Sequence, residues 1–478
     1  MLSFGQAKAL RGSRFIQKAG RRDKTRPGPM REIKRNVYKS EALHMKLSKR
    51  HLAIGAAFAS VAVVAGLGLA AWIGYEPAIP EIARPSASSF DRGLVAKGEQ
   101  LATVGDCIVC HTAPNGAPFA GARALPTPFG TLFSNNITPD EKTGIGSWSL
   151  AAFSRAIRQG VARDGSHLYP ALPYEHFTHV NDDDLAAIYA FLMTRQPVSQ
   201  QAPENQLLPG LGFRPLLAGW KLLFLRQTQF ERQANESAEW NRGKYLVDGL
   251  AHCGGCHTPR NLAGGEERGR EFAGGAAEGW NAPALDETNP FAAIWNVDSL
   301  FAYLKTGSDR GHSAAGGPMA PVAEGLSRLN DADVRAIAVY VDSRMHPSGE
   351  ATPSAVAVVA ANDSRSTAAA AHPEADLLFE GACSGCHAPG APMNINGRPL
   401  LSFASDLRAD DPRNAVQTLL QGIAPPGGKG AYMPSFSDTM TDRQLADLLA
   451  YARARFTDKP AWPNLEAVVG DIRKENAE

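Results

Sequence analysis

Three times in this chain two cysteines stand three positions apart with a histidine directly behind the second. The motifs are "CIVCH" at Cys107, Cys110 and His111, "CGGCH" at Cys253, Cys256 and His257, and "CSGCH" at Cys383, Cys386 and His387. These use all six cysteines of the chain. A Cys-x-x-Cys pair serves as a redox dithiol, half of a zinc site or a haem attachment, and histidine immediately behind the second cysteine selects the last. Two thiols at this spacing can add to the two vinyl groups of one haem, and the adjacent imidazole then binds the iron from one side. Zinc is the alternative. It needs four ligands close together, yet the pairs lie 146 and 130 positions apart, which leaves one pair unmatched and gives the three histidines no purpose. The expectation is three covalently bound haem c groups.

The second axial ligand of such an iron is commonly a methionine, and a His/Met pair raises the reduction potential. "AAGGPMAPV" places Met319 62 residues after His257, and "GGKGAYMPSF" places Met433 46 residues after His387. Both stretches read as Gly/Pro-rich loops, unlike a packed helix face. Met440 and Met393 are rivals in the third unit, the latter too close to its histidine to reach the far side. The first unit departs from the pattern: 61 residues beyond His111 lies Leu172, in "LYPALPYEHF". Met193 follows within a helical pattern and reads as core. His167, His176 and His179 are nearby, and His176 is the expected first-haem ligand; an iron open on that side is the other reading.

Helices must hold these groups. "DRGLVAKGEQLATVGDC", "EWNRGKYLVDGLAHC" and "ADLLFEGAC" place apolar residues at helical spacing before each first cysteine. "NDDDLAAIYAFLMT", "NDADVRAIAVYVDS" and "TDRQLADLLAYARARF" each open with a cap residue and acidic first-turn positions. Helix, haem motif, loop, helix is the plan of a small c-type cytochrome domain, built three times. The expected fold is all-α: three tandem class I cytochrome c domains behind an N-terminal transmembrane helix.

Charge and hydropathy supply the frame. Residues 1–50 hold 15 basic and 3 acidic side chains, the rest 34 basic and 45 acidic, so the acidic body is no nucleic-acid binder. No charge occurs from Leu52 through Tyr75, a run of about the 20 residues a spanning helix needs. It is too long for the apolar core of a cleaved signal, about 7–15 residues. With the basic flank ahead of it, the N-terminus stays in the cytoplasm and the haem domains lie in the periplasm, on the outer side of the inner membrane. Met45 offers an alternative start, "MKLSKRHLAIG". The expected organisation is a basic tail at 1–50, an anchor at 51–75 and a linker at 76–89. Cytochrome c domains follow at 90–198, 237–345 and 374–460, joined by a connecting segment at 199–236 and an Ala/Ser/Pro-rich tether at 346–373, with a tail at 461–478. In the connecting segment, "LLPGLGFRPLLAGWKLLFLRQTQF" is apolar without being a haem helix, and reads either as a membrane- or partner-facing surface helix or as cover for the domain seam.

From Phe90 to about Arg344 the sequence resembles the triheme cytochrome c subunits of bacterial membrane-bound dehydrogenases. "FAGARALPTPFGTLFSNNITPDEKTGIGSWS", "GVARDGSHLYPALPYEHFTHVNDDDLAAIYAFLMTRQPV", "EWNRGKYLVDGLAHCGGCHTPRN" and "AGGAAEGWNAPAL" carry the likeness. Such subunits accompany quinoprotein alcohol dehydrogenases, flavin-dependent sugar dehydrogenases, and molybdenum-type aldehyde or N-heterocycle oxidoreductases. The alcohol and sugar branches carry methionine within "YPAMPY", where this chain has Leu172. "PYEHFTHV" and the N-terminal span are more similar to the molybdenum branch. The resemblance implies an electron-transfer subunit with no catalytic centre of its own. It would relay electrons to ubiquinone from a molybdopterin-type aldehyde dehydrogenase subunit, with an iron–sulfur subunit alongside. No Gly-rich dinucleotide fingerprint or pterin-sized β region is present to oxidise a substrate. A self-contained haem peroxidase and a stand-alone membrane cytochrome are the rival readings.

Overall fold

The structure is a computed structural model that describes residues 74–309, 311–347, 364–388, 390–393, 399–428 and 432–477. The chain divides into two compact units, Met1–Ala65 and Gly66–Glu478; the first lies outside the described residues.

In the first haem domain Asp91 caps α1 (Arg92–Val104) by accepting from the Leu94 N–H. The motif follows as one turn, α2 (Cys107–Cys110), entered through left-handed Asp106. A hairpin of β1 (Ala124–Thr127) and β2 (Gly130–Phe133) comes next, then α3 (Leu150–Gln159), α4 (Tyr174–Phe177) and α5 (Asp182–Met193). β3 (Gln206–Leu207) adds to β2, and α6 (Leu216–Phe224) lies in the connecting segment. The second domain repeats the plan: α7 (Ala238–Lys244), a π turn (Tyr245–Leu250), motif turn α8 (Gly254–His257), hairpin β4 (Gly275–Ala277) and β5 (Trp280–Ala282), α9 (Val297–Thr306), α10 (Met319–Ser327) and α11 (Asp331–Met345). In the third, α12 (Arg365–Ala371) and α13 (Pro373–Ala382) lead to motif turn α14 (Ser384–His387), then α15 (Arg413–Gln421), α16 (Asp442–Phe456) and α17 (Leu465–Glu475).

The first and last helices of each domain cross, and the sequence marks the crossing. A β-carbon on Gly98 would lie 1.9 Å from the Ala187 carbonyl oxygen, and one on Gly243 2.0 Å from that of Ala336. Only glycine lets the two backbones approach so closely. The third crossing is made by rings instead: Phe379 and Tyr451 sit 5.4 Å apart, and the Tyr451 hydroxyl donates to Asp376 at 2.6 Å. Asn181, Asn330 and Thr441 cap the terminal helices, each accepting from a backbone N–H three residues on.

One hydrophobic core runs continuously through the first two domains, from Leu101 and Phe191 to Leu246 and Tyr340. At the seam the Tyr245 hydroxyl donates to Asp184 at 2.6 Å, and Asp184 also pairs with Lys97 at 2.6 Å. The third domain has a core of its own, around Leu445, Tyr451 and Val469. It is nevertheless docked: Asn281 and Asn414 exchange two hydrogen bonds of 2.8 and 2.7 Å, and Gln417 and Arg413 donate to the Gly279 carbonyl.

The fold expectation needs correction. The described residues are not all-α: they include a three-stranded and a two-stranded antiparallel sheet. Their strands are only two to four residues long and turn through Gly130 and Gly279, too short for alternation to announce them. Among the described residues no helix is long and apolar enough to cross a membrane. The run Leu52–Tyr75 lies outside them except for Gly74 and Tyr75. The end of the tether and the C-terminal tail are ordered as α12 and α17, with Leu465, Val469 and Ile472 buried.

Candidate functional site

The first two motifs sit in cradles built alike. The His111 Nδ1 lies 2.6 Å from the carbonyl oxygen of Asn135, and the His257 Nδ1 2.6 Å from that of Pro283. Each carbonyl stands just beyond a hairpin, after β2 and after β5. A carbonyl can only accept, so Nδ1 carries the proton and Nε2 keeps its lone pair for a metal. The histidine carbonyls are held too, by the N–H groups of Gly121 (2.8 Å) and Gly274 (2.9 Å). The next residue repeats as well: Thr112 accepts from Phe119 N–H at 3.1 Å, and Thr258 from Phe272 N–H at 3.0 Å. Burial lowers the pKa of both imidazoles, with the carbonyls pulling the other way, so each ring stays neutral as a ligand must.

No disulfide joins any of the six cysteines. Burial pushes Cys107 and Cys253 up to about 12, and Cys110 and Cys383 up to about 11. A redox dithiol or thiolate metal site needs the opposite shift. Among the described residues no cluster of three or more His, Cys, Asp or Glu is placed to hold a metal ion. Among those residues, then, each cysteine pair stands with its own histidine and with no second pair placed to complete a four-ligand set.

The third motif opens on an apolar cleft. Cys383 and His387 line it together with Met433, so the structure brings the expected attachment residue, proximal histidine and distal methionine around one cavity. Phe379, Leu407, Leu419 and Leu449 supply its apolar wall. A flat apolar macrocycle fits such a lining, and the fit rests on these donors and this cavity. Met433 is held by a reciprocal backbone bridge with Ile423, both bonds 2.9 Å, just past left-handed Gly422. The second domain contributes Ser313 and Ala314 to the same cleft. Met393 is exposed and Met440 packs against the third core.

Met319 is the first residue of α10, not mid-loop as expected, and packs against the shared core. Leu172 stands at its counterpart in the first domain. Both lie twelve residues past a left-handed glycine that ends a helix, Gly160 or Gly307. The same backbone bridge follows each glycine, Val161 with His167 and Ser308 with Ala314. Leu168 N–H donates to the Gly160 carbonyl at 2.7 Å as Ala315 N–H does to Gly307. Met193 is buried in α5, a core residue.

His176 is placed elsewhere than expected. Its Nε2 meets a Glu266 carboxylate oxygen at 2.7 Å and its Nδ1 meets the Asp248 carbonyl at 3.0 Å, so in this arrangement neither nitrogen is open to an iron. It lies against the second motif, where a β-carbon on Gly254 would come 2.8 Å from its ring. Burial works to lower its pKa, but the Glu266 bond and charge raise it overall. Glu175 beside it is pushed up to about 7, by burial first and then by Glu266. His167 meets the Gly74 carbonyl at 3.0 Å, and the His179 Nδ1 meets Thr228 at 3.5 Å.

The first two sites adjoin. His252, directly before Cys253, reaches the carbonyl of Gly105, two residues before Cys107, at 3.4 Å. Arg123 and Glu278 pair at 3.4 Å between the two hairpins. Sequence reasoning missed the residues that fix the proximal histidines, namely Asn135, Pro283, Thr112 and Thr258. The repeated "CHT" was the available signal for the threonines; the carbonyls, being backbone, left none.

Residues 95–196 match the cytochrome c family, and residues 370–451 match the family described as cytochrome c oxidase, cbb3-type, subunit III. The chain is 44% identical over 423 residues to a nicotinate dehydrogenase subunit of Pseudomonas putida, covering 87% of this chain but 35% of that protein, about a third of its length. It is 34% identical to the fructose dehydrogenase cytochrome subunit of Gluconobacter japonicus, covering 80% of this chain and 84% of that one. It is also 34% identical to the gluconate 2-dehydrogenase cytochrome c subunit of Pantoea cypripedii, over 80% and 90%. The fructose and gluconate relatives are the cytochrome subunits of their dehydrogenases. Haem c cradles on cytochrome c domains, joined over nearly the full length of such relatives, make this chain a member of the cytochrome c subunit family of dehydrogenase complexes.

Proposed function

We propose that this chain binds three haem c groups. On this reading it passes electrons from a catalytic dehydrogenase subunit to ubiquinone, with its haem domains on the periplasmic side of the inner membrane. The observation that carries the reading is the continuity of the sites. Two matched histidine cradles adjoin across one shared core, and the third cleft is completed by Ser313 and Ala314 of the second domain. Haem c, when bound, supplies a one-electron ferric/ferrous couple. The protein holds each imidazole by its Nδ1–H, excludes water with apolar walls, and offers methionine at two of three distal positions, so the first site is set apart in potential from the others.

The catalytic partner is of the molybdopterin type, accompanied by an iron–sulfur subunit. Leu172 in place of the methionine of the alcohol and sugar branches supports this, as does the likeness to a nicotinate dehydrogenase subunit. Nicotinate is an N-heterocycle, so an N-heterocycle or aldehyde is the substrate class of the complex.

Mass spectrometry of the mature chain tests the haem count: three added haem masses are expected, and fewer would overturn it. Purification of the native complex with metal analysis tests the partner, since molybdenum supports the proposal while flavin or pyrroloquinoline quinone would replace it. Substrate-driven reduction of ubiquinone by that complex tests the acceptor.

A further inference from the structure

Between the first two domains the chain leaves an apolar surface uncovered. Leu208, Phe213, Leu216, Leu222, Leu223 and Leu262 are exposed, Leu222 by 69% and Leu223 by 64%. They are neighbours in space. Successive turns join them, with Leu211 N–H bonded to Leu208, Phe213 N–H to Gly210, and Leu216 N–H to Phe213. Trp220 Nε1–H donates to Ala263, beside Leu262, at 2.8 Å. α6 is apolar apart from Lys221. Ala218 and Lys221 face inward, and the Lys221 ammonium donates to the carbonyls of Gln159 and Gly160, both at 2.9 Å. Leu216, Gly219, Leu222 and Leu223 face outward, and a β-carbon on Gly219 would meet nothing within 4 Å. Soluble proteins rarely leave such a contiguous apolar patch without a partner.

Two observations identify the occupant. No acidic residue occurs from 205 to 230, a stretch that carries Arg214, Lys221 and Arg226. Arg268 adds a further cation at the end of α6, donating to the Leu223 carbonyl. In addition, the uncharged run from Leu52 enters the described chain beside this surface. The Gly74 carbonyl meets His167, whose own carbonyl accepts from Arg214 at 3.0 Å, and Tyr75 is exposed. The geometry points to α6 and its flanking loops as an interfacial element that lies in the headgroup layer of an anionic bilayer. At nine residues α6 is about 13 Å long, far short of the ~30 Å hydrocarbon core, so it lies along the surface. Leu222 and Leu223 enter the acyl boundary, and Arg214 and Arg226 meet lipid phosphates.

This inference rests on the proposed function only in placing the chain at a membrane. All native cysteines are occupied in the haem-loaded protein, so a new cysteine is the single labelling site. Full-length haem-loaded L223C carries a nitroxide and is reconstituted into vesicles of phosphatidylethanolamine and phosphatidylglycerol. Collision rates with oxygen and with a water-soluble nickel chelate are then read by power-saturation EPR. The expected result is oxygen access above nickel access, reversed when Leu216 and Leu222 are both changed to glutamate. Nickel access above oxygen access would overturn the proposal. Shielding from both reagents would also overturn it, because the patch would then be covered by protein. Either failure leaves haem count and ubiquinone reduction untouched, so it is distinguishable from failure of the proposed function. Unchanged haem content in each variant shows that the fold is retained.

Discussion

Leu172 and Met319 occupy one position in two copies of the same turn, each twelve residues past the left-handed glycine that ends α3 or α9. The backbone hydrogen bonds leading up to them coincide, Leu172 N–H to Tyr169 as Met319 N–H to Gly316, so the two loops match as far as this position and differ in the side chain it carries. Leu172→Met therefore restores thioether sulfur where the backbone is already shaped for it. The first haem's reduction potential is expected to rise, by on the order of 0.1 V within the ≈ 0.8 V that axial ligands span. Potentiometric titration of the variant measures it; an unchanged potential means the turn does not face that iron.

Met433 lines the third cleft together with His387. Met433→His is expected to lower the third potential by a similar amount, with all haem still attached. Met433→Ala leaves the iron open and makes it bind cyanide or carbon monoxide, read by optical spectroscopy.

The third domain is tied to β5 by side-chain amides. Asn414→Ala removes both reciprocal bonds to Asn281, each contributing about 0.5–1.5 kcal/mol. Hydrogen exchange at residues 279–282 is expected to rise while the core packed between α13 and α16 stays protected.

The two crossing glycines and Gly381 behave oppositely. Gly98→Ala puts a methyl group against the Ala187 carbonyl and is expected to cost roughly 1–3 kcal/mol. A β-carbon on Gly381 meets nothing within 4 Å, so Gly381→Ala is expected to stabilise α13 by up to about 1 kcal/mol. Thermal unfolding of the haem-loaded variants reads both.

One contribution to stability falls as pH rises through neutrality. Glu175, at about 7 in the folded chain against an ordinary 4.5, favours folding below 4.5 and loses that contribution as pH climbs through 7. His176, raised above its ordinary 6.5, adds a contribution lost in the same direction. Glu266, lowered by its bond to His176 although burial opposes it, contributes above 4.5 and loses that only in acid. Relative to Glu175→Gln, the midpoint of unfolding of the unaltered chain is expected to fall between pH 6 and 8.

Much of this was readable from residue types. The three motifs, the cap residues of α5, α11 and α16, and the place of Met433 beside the third motif follow from spacing and periodicity, whereas Met319 opens α10 and does not sit mid-loop. Leu465, Val468, Val469 and Ile472 also repeat at helical spacing, so α17 was legible behind what reads as a tail. Three features were not. The hairpin strands are too short to alternate visibly, and β1 even contains Pro126. The carbonyls of Asn135 and Pro283 act through backbone, which no side-chain pattern encodes. His176 is a short step along the chain from Leu172, yet its partners Asp248 and Glu266 lie 72 and 90 residues away, so only the tertiary fold decides its role.

The core shared by the first two domains bears on how the mature protein is assembled. Side chains of either half close the interior of the other, so the pair gains its order in a single cooperative event, and a failed thioether ligation in one half exposes apolar surface in both. Biogenesis of that pair is therefore expected to be all-or-none, while the last domain can order its own interior but needs the pair in place to complete its cleft.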